Sequence, residues 1–105
     1  MPNLKINISD DDISGFCRKW NITELAFFGS VLRDDFDSDS YIDVLVVFAP
    51  EAKHSLFDMV RMEDELEQIL GRTVDLVSRR AIESSENYLR RRAILDSARA
   101  VYVAR

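Results

Sequence analysis

Ile42-Asp43-Val44-Leu45-Val46-Val47-Phe48 holds six apolar residues around one aspartate and stops two residues before Pro50. A run this short, this apolar and this rich in β-branched residues predicts a strand covered on both faces, at the centre of a sheet. Asp43 is the anomaly in it. A carboxylate inside such a strand costs free energy unless a cation or hydrogen-bond donors meet it.

Upstream, Glu24-Leu25-Ala26-Phe27-Phe28 is a second apolar run, ended by Gly29-Ser30, where the chain must turn. Residues 31–40 are a polar connection carrying Asp34, Asp35, Asp37 and Asp39, with helix formers for one turn at Val31-Leu32-Arg33. Further upstream, Ser9-Asp10-Asp11-Asp12 resembles a helix start, and Ile13, Phe16, Cys17 and Trp20 follow at helical spacing, predicting a helix over 10–20.

Downstream, Ser55 and Asp58 form a capping pair for a helix whose apolar positions Leu56, Met59, Val60, Leu66, Ile69 and Leu70 recur at three and four residues. Gly71 is placed to end it. Thr73-Val74-Asp75-Leu76-Val77 predicts a third strand, again with a carboxylate inside, followed by a helix over 85–95 and a last strand at Val101-Tyr102-Val103. The order α, β, turn, β, α, β, α, β calls for an α/β (α+β) fold, a mixed sheet flanked by helices. The strands around 42–48 and 73–77 would lie parallel through a right-handed crossover.

At 105 residues, with 47% hydrophobic and 31% charged composition, the chain reads as one domain over 1–105. Cys17 is the only cysteine and His54 the only histidine, which excludes an internal disulfide and a cysteine-rich zinc site. No apolar run approaches the roughly 20 residues of a membrane span, and the start lacks a signal-peptide pattern, so the expectation is a cytoplasmic protein without membrane contact. The net charge of −5 argues against direct nucleic-acid binding, although residues 79–105, with seven arginines against three acidic residues, carry +4. Arg90-Arg91-Arg92 reads as a solvated helix face, and His54 as a surface or capping residue rather than a base. Phe27, Phe28, Phe48 and Phe57 are the aromatic core candidates.

Positions 41 and 43 share one face of their strand, and a neighbouring strand can bring Asp75 beside them. Oxygen ligands in that arrangement suit Mg²⁺, which takes one or two carboxylates and completes its shell with water and substrate phosphates. The Gly29-Ser30 turn suits the same chemistry: glycine lets the backbone approach a phosphate, and the serine hydroxyl can hydrogen-bond its oxygens. A metal with a phosphate cradle points to phosphoryl or nucleotidyl transfer. Singly, Ser30 reads as an ordinary turn residue and Asp75 as a cap or arginine partner. Jointly, two aspartates in apolar strands and a spaced Gly-Ser turn form one pattern.

Gly29-Ser30, ten residues, position 41, one residue and Asp43 together resemble the Gly-Ser-x10-Asp-x-Asp signature of the polymerase-β-like nucleotidyltransferase superfamily. With the flanking strands and Asp75 the resemblance covers nearly the whole chain, in the form of the minimal nucleotidyltransferases of two-gene HEPN/MNT toxin–antitoxin modules. It implies that Gly29 and Ser30 contact the nucleotide, that Asp43 and Asp75 are catalytic and hold Mg²⁺, and that ATP is the substrate. It further implies a HEPN-family toxin as partner and AMP transfer to a tyrosine of that toxin.

Tyr41 departs from the pattern: it stands where the signature has its first aspartate, and a tyrosine side chain is bulky and normally protonated at neutral pH. Three accounts stay open. The chain neutralises its toxin by contact alone; or the substitution was introduced into an active protein; or Asp39 substitutes, from about 7 Å along the strand. A nucleotidyltransferase acting on a small molecule is a further alternative consistent with the motif.

Overall fold

The computed structural model describes residues 9–29 and 41–104. Helix α1, Asp10–Lys19, starts at the N-cap Ser9, whose side chain accepts from the Asp12 N–H, and buries Ile13, Phe16 and Cys17. Three aspartates in its first turn and Arg18 with Lys19 in its last complement the helix dipole at both ends. Asn21, in the left-handed region at φ 57°, then reverses the chain into strand β1, Ile22–Phe28.

Strand β1 begins two residues earlier than its apolar run suggested, because Ile22 pairs with Phe48 across the sheet. Strand β2 is Ile42–Phe48, as expected. Helix α2, Leu56–Leu70, carries the complete Ser55/Asp58 capping box and ends at Gly71 with φ 69°. Strand β3, Val74–Ser78, runs directly into a five-residue helix α3, Arg79–Glu83, capped by Ser78. The sequence reading lacked α3, since one helical turn has no periodicity to recognise. Helix α4, Tyr88–Ser97, starts later than expected because Asn87 supplies the N-cap. Strand β4, Arg99–Val103, is longer than its apolar centre implied, pairing through Arg99 and Ala100 as well.

The four strands form one mixed sheet in the order β3-β2-β1-β4, with β1 antiparallel to both β2 and β4, and β2 parallel to β3. Pleating sends alternate side chains to opposite faces. One face, with Leu25, Phe27, Ile42, Val44, Val46, Val74 and Leu76, joins α1 and α2 in the larger core, which includes Met62 and Leu66 at zero exposure. Burying a side chain of that size contributes roughly 1.5–3 kcal/mol over leaving it exposed. The other face, with Ala26, Phe28 and Leu45, is covered by Ile82 of α3 and Ile94 of α4. That is the double cover expected for β2.

Three expectations about side chains change. Phe57 is exposed on α2, because the residues facing the sheet there are Met62, Leu66 and Leu70. His54 is half-buried rather than superficial: its Nε2 lies 2.7 Å from the Trp20 carbonyl, and its ring sits 4.8 Å from that of Phe48. It fastens the loop before α2 to the end of α1. Within the arginine run, Arg92 pairs with Asp96 in solvent, but Arg91 donates to the carbonyls of Glu83 and Ser85, tying the end of α3 to α4. The expected turn of helix at 31–33 falls outside the described residues. Among the described residues no helix is long and apolar enough to cross a membrane.

Candidate active site

The pairing register builds the site directly. Phe28, the last residue of β1, stands opposite Asp43 of β2, and Asp43 stands in register with Asp75 of β3. In a parallel pair, residues in register send their side chains to the same face, about 4.8 Å apart. Asp43 and Asp75 therefore lie side by side on the face that carries the smaller core, with Asp43 half-buried and Asp75 exposed. Like charges directly across neighbouring strands are destabilising in the absence of a cation or donors between them.

Gly29 completes the third side. Its φ of +73° is left-handed, and a Cβ built on it would collide with Asp43 Oδ2 and lie 3.2 Å from Asp43 Cγ. Gly29 is therefore pressed against the Asp43 carboxylate, which would have to shift to admit a side chain there. Tyr41 immediately precedes β2, two residues from Asp43, and is 58% exposed. Ser30 and Asp39 lie outside the described residues.

The donor set can be weighed against Mg²⁺. Among the described residues no group of three His, Cys, Asp or Glu side chains could hold a metal. Two adjacent carboxylates nevertheless suit one Mg²⁺, whose remaining positions go to water and phosphate oxygens. Asp43 and Asp75 thus fit a single cation that comes with a nucleotide. The first carboxylate of the signature is replaced by the Tyr41 phenol.

A separate cleft of about 810 Å³ lies at the other end of β2 and β3, lined by Phe48, Pro50, His54, Met59, Ser78 and Arg79 among others. Asp43 is three residues from Val46, the nearest lining residue on β2, roughly 10 Å along the strand, and Asp75 adjoins the lining Leu76, whose side chain points to the opposite face. In this cleft His54 is engaged by Trp20, and the lining carboxylate Glu83 lies 3.4 Å from the lining Arg79. The carboxylate end of the sheet is the candidate site, where β2 and β3 bring Asp43 and Asp75 into register.

Two residues near the site escaped the sequence reading. Glu67 Oε2 accepts from the Val74 N–H at 2.9 Å, and Glu63 Oε2 accepts from the Leu76 N–H at 3.0 Å. In sequence they are ordinary charged residues one turn apart on α2, and nothing local distinguishes them from a solvated face.

A mixed sheet with a paired-carboxylate end and a tight glycine turn beside it is the architecture of a nucleotide-transferring domain. The chain belongs to the family described as the nucleotidyltransferase domain, whose model matches residues 13–101. It is 41% identical over 79 residues to a candidate protein adenylyltransferase of Methanocaldococcus jannaschii, covering 75% of this chain and 83% of that protein. A solved structure of a minimal nucleotidyltransferase superposes with a TM-score of 0.66 at 31% identity, covering 86% of each chain. The fold also matches, at TM-score 0.61 and 18% identity over 90% of this chain and 70% of the other, a complex of tri-AMPylated Shewanella oneidensis HEPN toxin with MNT antitoxin.

Proposed function

We propose that this chain is a cytoplasmic antitoxin of the HEPN/MNT type, built to transfer AMP from ATP to a tyrosine hydroxyl of a cognate HEPN toxin, and that Tyr41 curtails the transfer. The observation that carries this reading is the in-register pair Asp43 and Asp75 beside the left-handed Gly29. Relatives named as adenylyltransferases and a matching fold from an AMPylated complex support it.

In this reading Gly29, with Ser30, lets the main chain approach the triphosphate. Asp43, half-buried under the turn, and Asp75 would hold Mg²⁺, which supplies neutralisation of phosphate charge when bound. Asp75, which is exposed, would take the proton as the tyrosine oxygen bonds to the α-phosphorus and the bond to pyrophosphate breaks. Tyr41 removes one carboxylate from this set and places an exposed ring beside it. That observation favours a second reading, an antitoxin acting by contact alone.

Calorimetric titration of Mg²⁺ and ATP into the chain and into Tyr41→Asp tests both readings. Tighter binding by the variant, followed by Mg²⁺-dependent transfer of labelled AMP to the cognate HEPN protein, is the expected outcome. Binding without transfer selects the contact-only antitoxin. No binding by either protein removes Gly29, Asp43 and Asp75 as a working nucleotide site.

A further inference from the structure

We infer that Glu63 and Glu67 are positioning residues for Asp75, holding the site strand from its outer edge. The inference rests on the reading of Asp75 as a carboxylate of the cation site.

Strand β3 is an edge of the sheet, next to β2 alone. Successive backbone N–H groups of a strand point to opposite edges. The Ile42 N–H donates to the Thr73 carbonyl, which fixes the odd-numbered residues of β3 as those whose backbone faces β2. Asp75 therefore has its main chain anchored inward. Val74 and Leu76, on either side of it, point their N–H groups outward, where an edge strand ordinarily meets water or another chain.

Here α2 meets them instead. Glu67 takes the Val74 N–H and Glu63 takes the Leu76 N–H, so two carboxylates one helical turn apart stand in for a neighbouring strand. Charge-assisted hydrogen bonds of this kind are among the stronger ones. The helix is itself fixed to the sheet by Met62 and Leu66, each next to one of the two glutamates in sequence, and by Leu70 at its end. Asp75 is thus flanked on both sides by backbone bonds to a rigid element, while its own side chain is exposed on the opposite face. Such clamping fixes the register of Asp75 against Asp43, on which a shared cation depends. Groups that orient metal ligands from outside commonly matter by about 10- to 100-fold in affinity.

The test is a Mn²⁺ titration followed by electron paramagnetic resonance, with ATP present. It compares the full chain with Asp75→Asn, Glu63→Ala/Glu67→Ala and Glu63→Gln/Glu67→Gln. Amide hydrogen exchange at Val74 and Leu76 is measured on the same proteins. The alanine pair is expected to weaken Mn²⁺ affinity about 10-fold and to speed exchange at both amides. The glutamine pair keeps a carbonyl acceptor at each position and is expected to restore both. Unchanged affinity in the alanine pair, with affinity lost in Asp75→Asn, overturns the positioning role and leaves the site reading standing. A glutamine pair as weak as the alanine pair also overturns it, since charge and not the hydrogen bond is then responsible. Absence of Mn²⁺ binding, or binding indifferent to Asp75→Asn, overturns the site reading and the inference with it. If the alanine pair fails to fold, the single replacements Glu63→Ala and Glu67→Ala carry the same comparison.

Discussion

Gly29 and Gly71 share a left-handed backbone, with φ of 73° and 69°, yet they do different work. At Gly71 a Cβ would meet open space, so the residue serves conformation alone and ends α2. At Gly29 the space is filled by the Asp43 carboxylate, the end of a short side chain able to rotate away. Gly71→Ala and Gly29→Ala are therefore expected to cost similar stability, about 1–2 kcal/mol each for the left-handed conformation, read from urea denaturation. Only Gly29→Ala should also displace Asp43 and weaken Mn²⁺ binding. Equal cation affinities in the two variants would show that contact with Gly29 does not set the carboxylate's position. The spacing from Gly29 to Asp43 was legible in sequence, but their contact was not, because it depends on β1 pairing with β2 through Phe28 and Asp43.

Helix α2 shows what a single element contributes. Its start was written plainly: Ser55 accepts from the Asp58 N–H, and Asp58 accepts from the Ser55 N–H at 3.0 Å. The second bond, together with the Ser55 side chain and the nearby His54 and Arg61 charges, holds the Asp58 carboxyl below its ordinary value of 3.8. A carboxyl lowered on folding adds stability that is complete above its unfolded value and disappears as pH falls through the lower folded one. The urea midpoint of the full chain should exceed that of Asp58→Ala at neutral pH, and the gap should close as pH drops below about 4. A gap that persists in acid would assign the effect to the uncharged carboxyl's capping bond rather than to its charge. The far side of the same helix was read less well. Phe57 was expected in the core and is 81% exposed, whereas Glu63 and Glu67, on which the sequence reading was silent, bond the edge strand. An apolar stripe gives a helix its inner face, but the geometry of the neighbouring edge decides which flanking residues reach it.

At the scale of the molecule, the sheet divides unequal layers. The side toward α1 and α2 holds the larger core, and Cys17 lies inside it with no exposure. Burial pushes its thiol up to about 12, against a smaller lowering by Arg18. The native chain should therefore resist a thiol reagent at pH 8, reacting only as it unfolds, so that the labelling rate in urea follows global opening measured by circular dichroism. Rapid labelling of the folded protein would mean that α1 opens by itself. The opposite face is thinner, with short α3 and α4 over Ala26, Phe28 and Leu45, and there Asp75 stays exposed. The proposed transfer, which brings a nucleotide and a protein acceptor together, needs such an uncovered face.

The sequence by itself determined the types of every described element but α3, the central place of Ile42–Phe48, the parallel partner carrying Asp75 and the motif that joins Gly29 to Asp43. These follow from local propensity and from side-chain alternation, which a single chain segment expresses without help from the rest. Only the tertiary structure decided that Asp43 and Asp75 share one register, that Gly29 touches the carboxylate, and that Glu63 and Glu67 clamp the strand between them. Register and edge contacts arise between segments distant in sequence, and a shift of one residue would send Asp75 to the other face. That dependence on pairing is why the carboxylates were visible in the sequence while their neighbourhood was not.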